Sequence, residues 1–189
     1  MDEMLEVFEA DALHIGCDEA FDIGLCPRCR GKDKVKLFAD WVTMLHDHLA
    51  AKGAKTLMWG DRFINSETSG YNSAYDACTV GTEAAVKLIP KDIILCDWHY
   101  GKHEAYKSVD MFAEEGFKMF FSPWRIPENA LAFYNYAKSH DKGHILGLLA
   151  TTWCSSGELA RAILYGEKPR WEKTQAVIDA WNEMLFQDP

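Results

Sequence analysis

The sequence predicts an α/β protein built on a parallel sheet. Short apolar runs alternate with longer segments of helical periodicity, the pattern of repeated strand-helix units, and five such units can be counted. The runs are mostly apolar throughout instead of alternating, as expected of strands covered on both faces. With 189 residues, 48% of them hydrophobic, the chain can bury a substantial core, and its length favours a single domain spanning 1–189.

The opening residues, with Leu5 and Phe8 on one side, read as the end of a helix preceding the first strand, Ala12 to Gly16. The clearest helix follows from about Asp33 to Lys52. Phe38, Trp41, Val42, Leu45 and Leu49 repeat there at helical spacing as an expected core stripe, and Gly53 supplies the stop. Strands are expected at Thr56 to Gly60, Ile93 to Asp97, Phe117 to Ser122 and Ile145 to Thr151. Helices are expected from about His103 to Glu115, with Gly116 after it, and from about Glu128 to Lys138, entered by Pro127. Two more close the chain, about Gly157 to Leu164 and Glu172 to Phe186, separated by Gly166 and Pro169.

The 29 acidic against 20 basic residues give a net charge of -9. This argues against nucleic acid, whose phosphates call for clustered Lys and Arg. No apolar run approaches the roughly 20 residues of a membrane span, and the amino terminus lacks a secretory pattern, so the expectation is a cytoplasmic protein with no membrane partner. Six cysteines in this setting read as reduced thiols before they read as disulfides. Cys26-Pro27-Arg28-Cys29 offers two corners of a zinc site, but no second such pair completes it, leaving Cys26 and Cys29 as weak metal candidates. No cofactor is called for.

Just past the strand ends, polar and aromatic residues collect: Asp18 and Glu19; Trp59, Asp61 and Arg62; Asp97, Trp98, His99 and Tyr100; Trp124 and Arg125; Thr152 and Trp153. In a closed parallel barrel these positions converge on the rim that carries the active site. Four of the seven tryptophans lie there, and indole faces with nearby polar groups suit a sugar ring.

His14-Ile15-Gly16-Cys17-Asp18-Glu19 resembles the His-x-Gly-x-Asp-Glu motif of the family 20 glycoside hydrolases, the β-N-acetylhexosaminidases. There the motif ends the fourth strand of a (β/α)8 TIM barrel. Trp-Gly-Asp at 59–61, Asp-Trp-His-Tyr at 97–100 and Thr-Thr-Trp at 151–153 are similar to the family's later strand ends, so the resemblance covers nearly all of the chain. It implies a partial barrel, strands four to eight with their helices. It also implies hydrolysis of terminal β-linked N-acetylhexosamine, with the substrate's own acetamido group as nucleophile. Glu19 would be the general acid/base and Asp18 would orient the acetamido group. Trp59, Trp98 and Trp153 match the family's aromatic pocket; His14 would brace the acid loop, and Asp61, His99, Tyr100 and Trp124 would line the substrate site.

The sequence departs from the family in three places. Where better-known members carry Tyr-x-Asp, it has Ser122-Pro123-Trp124-Arg125, which makes Tyr100 a substitute for the acetamido-binding tyrosine. Where they carry Trp-x-Glu, it has Trp153-Cys154-Ser155, so the hydroxyl-gripping carboxylate is either missing or moved to Asp61. The family's first three strands have no counterpart, so the sheet would need completing by an amino-terminal half or by another copy. Two other readings stand beside the enzyme: a truncated barrel that binds sugars without cleaving them, and a metal-stabilised module around Cys26 and Cys29.

Overall fold

The computed structural model describes residues 1–71 and 75–185. Five strands, β1 (Ala12–His14), β2 (Lys55–Trp59), β3 (Ile94–Trp98), β4 (Lys118–Ser122) and β5 (Ile145–Leu148), form one sheet in the order β1-β2-β3-β4-β5, all parallel. Sequential order with every neighbour parallel requires a crossover after each strand. Helices supply three of them: α2 (Lys34–Ala50), α3 (Lys107–Glu114) and α4 (Pro127–Ser139). Helix α1 (Asp2–Val7) precedes the sheet, and α5 (Ser156–Tyr165) and α6 (Glu172–Leu185) follow it. The β2–β3 crossover carries only two short 3-10 turns, at Asp61–Phe63 and Glu83–Lys87.

Helix boundaries follow local chemistry. Asp33 caps α2 by accepting hydrogen bonds from the Val35 and Lys36 N–H groups. Pro127 opens α4, and Ser155 caps α5, which Gly166 ends in the left-handed conformation. The last expected helix is described as far as Leu185; Phe186 lies outside the described residues. The segment 103–106, expected in helix, is instead loop, and α3 starts at Lys107.

The two faces of the sheet differ. Met58, Leu95, Met119 and Phe121 point to one side and are buried with Phe38 and Val42 of α2, Val109 and Phe112 of α3, and Phe133 and Ala137 of α4. Along each strand the alternate residues point the other way. Cα pairing of Trp59 with Cys96, and of Cys96 with Phe120, aligns one such row. Cys96 is fully buried, but Leu57, Trp59, Ile94 and Phe120 are only half-buried. Coverage on both faces was expected; among the described residues the helices cover one, and the second face stays half-buried.

Trp41 also departs from expectation. Phe38, Val42 and Leu49 of the α2 stripe are buried, whereas Trp41 is 52% exposed. It sits at the edge of the helical face and, with Cys17, Ile23, Cys29, Leu37 and Phe38, lines a cavity of about 370 Å³ beside the loop that follows β1.

Candidate functional site

The site is built from the β1 end outward. Strand pairing stops after His14, and the chain turns through Gly16, Cys17 and Glu19, all in left-handed backbone conformations with φ of 72°, 72° and 48°. For the two residues that are not glycine this costs roughly 1–2 kcal/mol each, so the turn persists only because surrounding contacts hold it. Two contacts do so. His14 Nδ1 accepts the Gly16 N–H at 3.1 Å, and Asp61 Oδ2 accepts the Glu19 N–H at 3.0 Å. The turn presents a half-buried Asp18 and an exposed Glu19.

Asp61 is 1% exposed and fully engaged. Beyond Glu19, Oδ1 accepts the Trp98 indole N–H at 3.1 Å, and Oδ2 accepts Arg62 Nε at 2.6 Å. Burial pushes its carboxyl pKa up while the adjacent guanidinium pulls it down; burial has the larger effect. A carboxylate enclosed in this way ties the acid turn to the ends of β2 and β3. Asp61, which the sequence reading put against the sugar hydroxyls, is buried with both oxygens hydrogen-bonded within the chain. Arg62, also fully buried, donates to the Tyr75 and Ala77 carbonyls at 2.9 Å and so extends the brace into the β2–β3 crossover.

The aromatic candidates form one connected set. His14 packs on Trp59 with ring centroids 4.6 Å apart. Trp98 lies 5.0 Å from Tyr100, and Tyr100 lies 5.2 Å from Trp124. The exposed Trp153 donates its indole N–H to the Tyr100 hydroxyl at 2.6 Å. Trp59 and Trp153 share the lining of a cavity of about 220 Å³ with Leu149, Ala150, Thr151 and Thr152. Burial raises the Tyr100 pKa; hydrogen bonds from Thr151 and Trp153 oppose this, and the charges of Asp18 and Glu19 add to it. That coupling places the Tyr100 hydroxyl within electrostatic reach of both acids. Burial depresses the His14 pKa, with the Asp18 charge opposing, so the neutral ring needed to accept the Gly16 bond is the favoured form. Two buried nitrogens in this set, His14 Nε2 and Trp124 Nε1, have no hydrogen-bond partner among the described residues.

His99 is absent from the pocket. It follows Trp98 by one residue, so the period of two turns it to the helix-covered side of the sheet. There Nε2 lies 3.1 Å from Asp97 and 2.9 Å from Ser108 Oγ, and Nδ1 lies 3.3 Å from Asp76. Burial works against its charged form, but the Asp97 and Asp76 carboxylates outweigh this and raise its pKa to about 9. Cys26 is exposed and Cys29 half-buried; a thiol–thiol hydrogen bond lowers the pKa of Cys26 and raises that of Cys29. The sequence reading missed the bracing by Arg62 and the contribution of Asp76. The first was detectable in the Asp61-Arg62 pair, but the second comes from a crossover with no periodic signal.

The fold and site define an α/β protein whose parallel strands carry acids and indoles at their carboxyl ends. No family model matches the sequence, and no curated protein matches it. Solved structures do. One is an inactive mutant of a GH20 exo β-N-acetylglucosaminidase from Vibrio harveyi, with TM-score 0.54, 15% identity, and coverage of 97% of this chain and 33% of that one. Another is a β-N-acetylhexosaminidase from Bacteroides fragilis, with TM-score 0.54, 13% identity, and coverage of 98% and 43%. A third is Dispersin B, with TM-score 0.50, 16% identity, and coverage of 98% and 54%. At these identities the likeness is one of fold, and the chain spans between about a third and about half of the proteins it matches. Among the described residues, no helix is long and apolar enough to cross a membrane.

Proposed function

We propose that the chain is the carboxyl-terminal part, strands four to eight, of a (β/α)8 glycosidase barrel that removes terminal β-linked N-acetylhexosamine. The observation that carries this reading is the acid turn itself. Two strained residues and a buried carboxylate hold Asp18 and Glu19 at the carboxyl end of β1, beside a set of indoles drawn from the ends of β2, β3, β4 and β5. Strain of this kind is retained where it positions chemistry. The fold shared with enzymes named as hexosaminidases supports the same reading.

In the proposed mechanism the acetamido oxygen of the substrate attacks its own anomeric carbon as Glu19 protonates the departing oxygen. Glu19 is exposed in the free chain. A sugar entering beside it would cover its carboxyl next to Asp18. Asp18 accepts the acetamido N–H and stabilises positive charge on the cyclic intermediate. Glu19, now a carboxylate, then takes the proton of the attacking water, which opens that ring and gives the retained product. Trp59, Trp98, Trp124 and Trp153 form the apolar walls, and Tyr100 is the hydroxyl closest in role to the family's acetamido-binding tyrosine. Asp61 positions the acids through Glu19 and does not touch the sugar.

The test is hydrolysis of a chromogenic β-N-acetylglucosaminide by the chain, or by a longer protein that contains it, against the matching glucoside lacking the acetamido group. Cleavage of the first alone, lost by at least a hundredfold in Glu19→Gln, is the expected result. Equal cleavage of both substrates would remove the acetamido nucleophile, and an active Glu19→Gln would remove the acid. A binding role without hydrolysis has one observation in its favour, the exposure of Glu19. It predicts that N-acetylglucosamine quenches tryptophan fluorescence in the absence of any turnover.

A further inference from the structure

We infer a second site, for a transition-metal dication of the zinc type, formed by Asp76, His99 and His103 on the side of β3 opposite the acid turn. One ligand atom from each of these residues lies within 4.8 Å of the others. Asp76 Oδ2 and His99 Nδ1 are already 3.3 Å apart, about the spacing of two ligands on a tetrahedral zinc with bonds near 2.0–2.1 Å. His103 sits on the 99–106 loop, and adjusting its ring closes the third side.

Three features distinguish the cluster from an ordinary buried ion pair. Asp76 Oδ1, on a residue that is 7% exposed, and the buried Nε2 of His103 have no hydrogen-bond partner among the described residues, so two potential ligand atoms in one place are unsatisfied. The outer layer is also built. His99 Nε2 hydrogen-bonds Ser108 Oγ at 2.9 Å, and Ser108 Oγ donates in turn to Asp97 at 2.6 Å, a relay to a carboxylate that orients the imidazole from behind. Finally, the Tyr71 ring packs on both histidines, with centroids 4.1 and 4.9 Å away, which shields the His99 side of the site from solvent.

Two imidazoles and one carboxylate suit zinc better than calcium or magnesium, which prefer all-oxygen sets. Three protein ligands leave one position for water on the half-buried His103 side. The ion would join the β2–β3 crossover, through Asp76, to the loop after β3. That loop begins at the residue following Trp98, so the metal would steady the strand end that carries Trp98 and Tyr100 without touching the sugar site.

The experiment uses the whole chain with Cys26→Ser and Cys29→Ser in place, so that the thiol pair cannot supply the binding. The protein is stripped with chelator and titrated with zinc sulfate by calorimetry, and cobalt is substituted for absorption spectroscopy. The expected result is one zinc per chain, a higher midpoint of thermal unfolding, and a cobalt spectrum without thiolate charge transfer. Adding His103→Ala, which removes a loop residue outside the hydrophobic core, should weaken zinc at least tenfold while leaving the far-ultraviolet circular dichroism unchanged. Asp76→Asn should do likewise, but the His103 variant decides the matter if that protein fails to fold. No binding in the serine background, or binding unaffected by His103→Ala, would overturn the assignment.

Discussion

Replacing Asp61 with alanine tests the brace under the acid turn most directly. The side chain is 1% exposed and accepts from Arg62 Nε, the Trp98 indole and the Glu19 amide. Taking one partner from a buried ion pair costs about 3–5 kcal/mol. Leaving a buried N–H without its acceptor costs about 1–3 kcal/mol more, and two such groups are affected. These losses share neighbours and do not add fully, so a total of roughly 4–6 kcal/mol is expected. For a chain of this length each kcal/mol moves the thermal midpoint by about 2–4 °C, which gives a fall of roughly 8–24 °C. Asp61→Asn keeps the shape and one acceptor and should lose less. Urea titration followed by tryptophan fluorescence measures the difference, with Trp98 an internal reporter of the broken bond. A loss below about 1 kcal/mol would show that Arg62 does not depend on this carboxylate and that the acid turn is held by something else.

Gly60→Ala should destabilise the chain by about 1–3 kcal/mol in urea, because a methyl group there would lie 2.8 Å from the ring of Phe112, which is fully buried and cannot retreat. Trp98→Phe retains much of the packing but removes the donor to Asp61. A loss of about 1–2 kcal/mol is expected, and slower turnover of the acetamido substrate should accompany it if the brace positions Glu19. His14 supplies a pH effect. Its folded pKa lies below the ordinary 6.5, so its contribution is complete above that value and is lost as pH falls through the folded pKa, when the ring can no longer accept the Gly16 N–H. The protection factor of the Gly16 amide, its exchange relative to the intrinsic rate at each pH, should therefore fall on acidification, and His14→Asn should abolish that dependence. Unchanged protection of Gly16 between neutral and mildly acidic pH would refute it.

The sequence made the order of elements legible because each has a local cause. Apolar runs too short for helices gave the strands, and Asp33, Pro127, Gly53 and Gly166 marked boundaries that the structure keeps within a few residues. The position of Trp98 and Tyr100 on one face followed from the same alternation, which should also have assigned His99 to the other. What was not legible depends on contacts distant in the chain. Nothing local distinguishes an Asp61 aimed at solvent from one enclosed by Trp98 and Glu19. The meeting of Asp76 with His99 depends on an irregular crossover, and the exposure of Trp41 depends on where the acid turn packs against α2.

The left-handed backbone is shared by Cys17 and Glu19, but only at Glu19 does it set durability against the proposed chemistry. Glycine would relieve each position of roughly 1 kcal/mol. A laboratory selection that rewarded only heat resistance should therefore convert position 19 to glycine and discard the proposed proton donor, whereas one that also demanded the proposed sugar cleavage should leave Glu19 in place and relax position 17 alone.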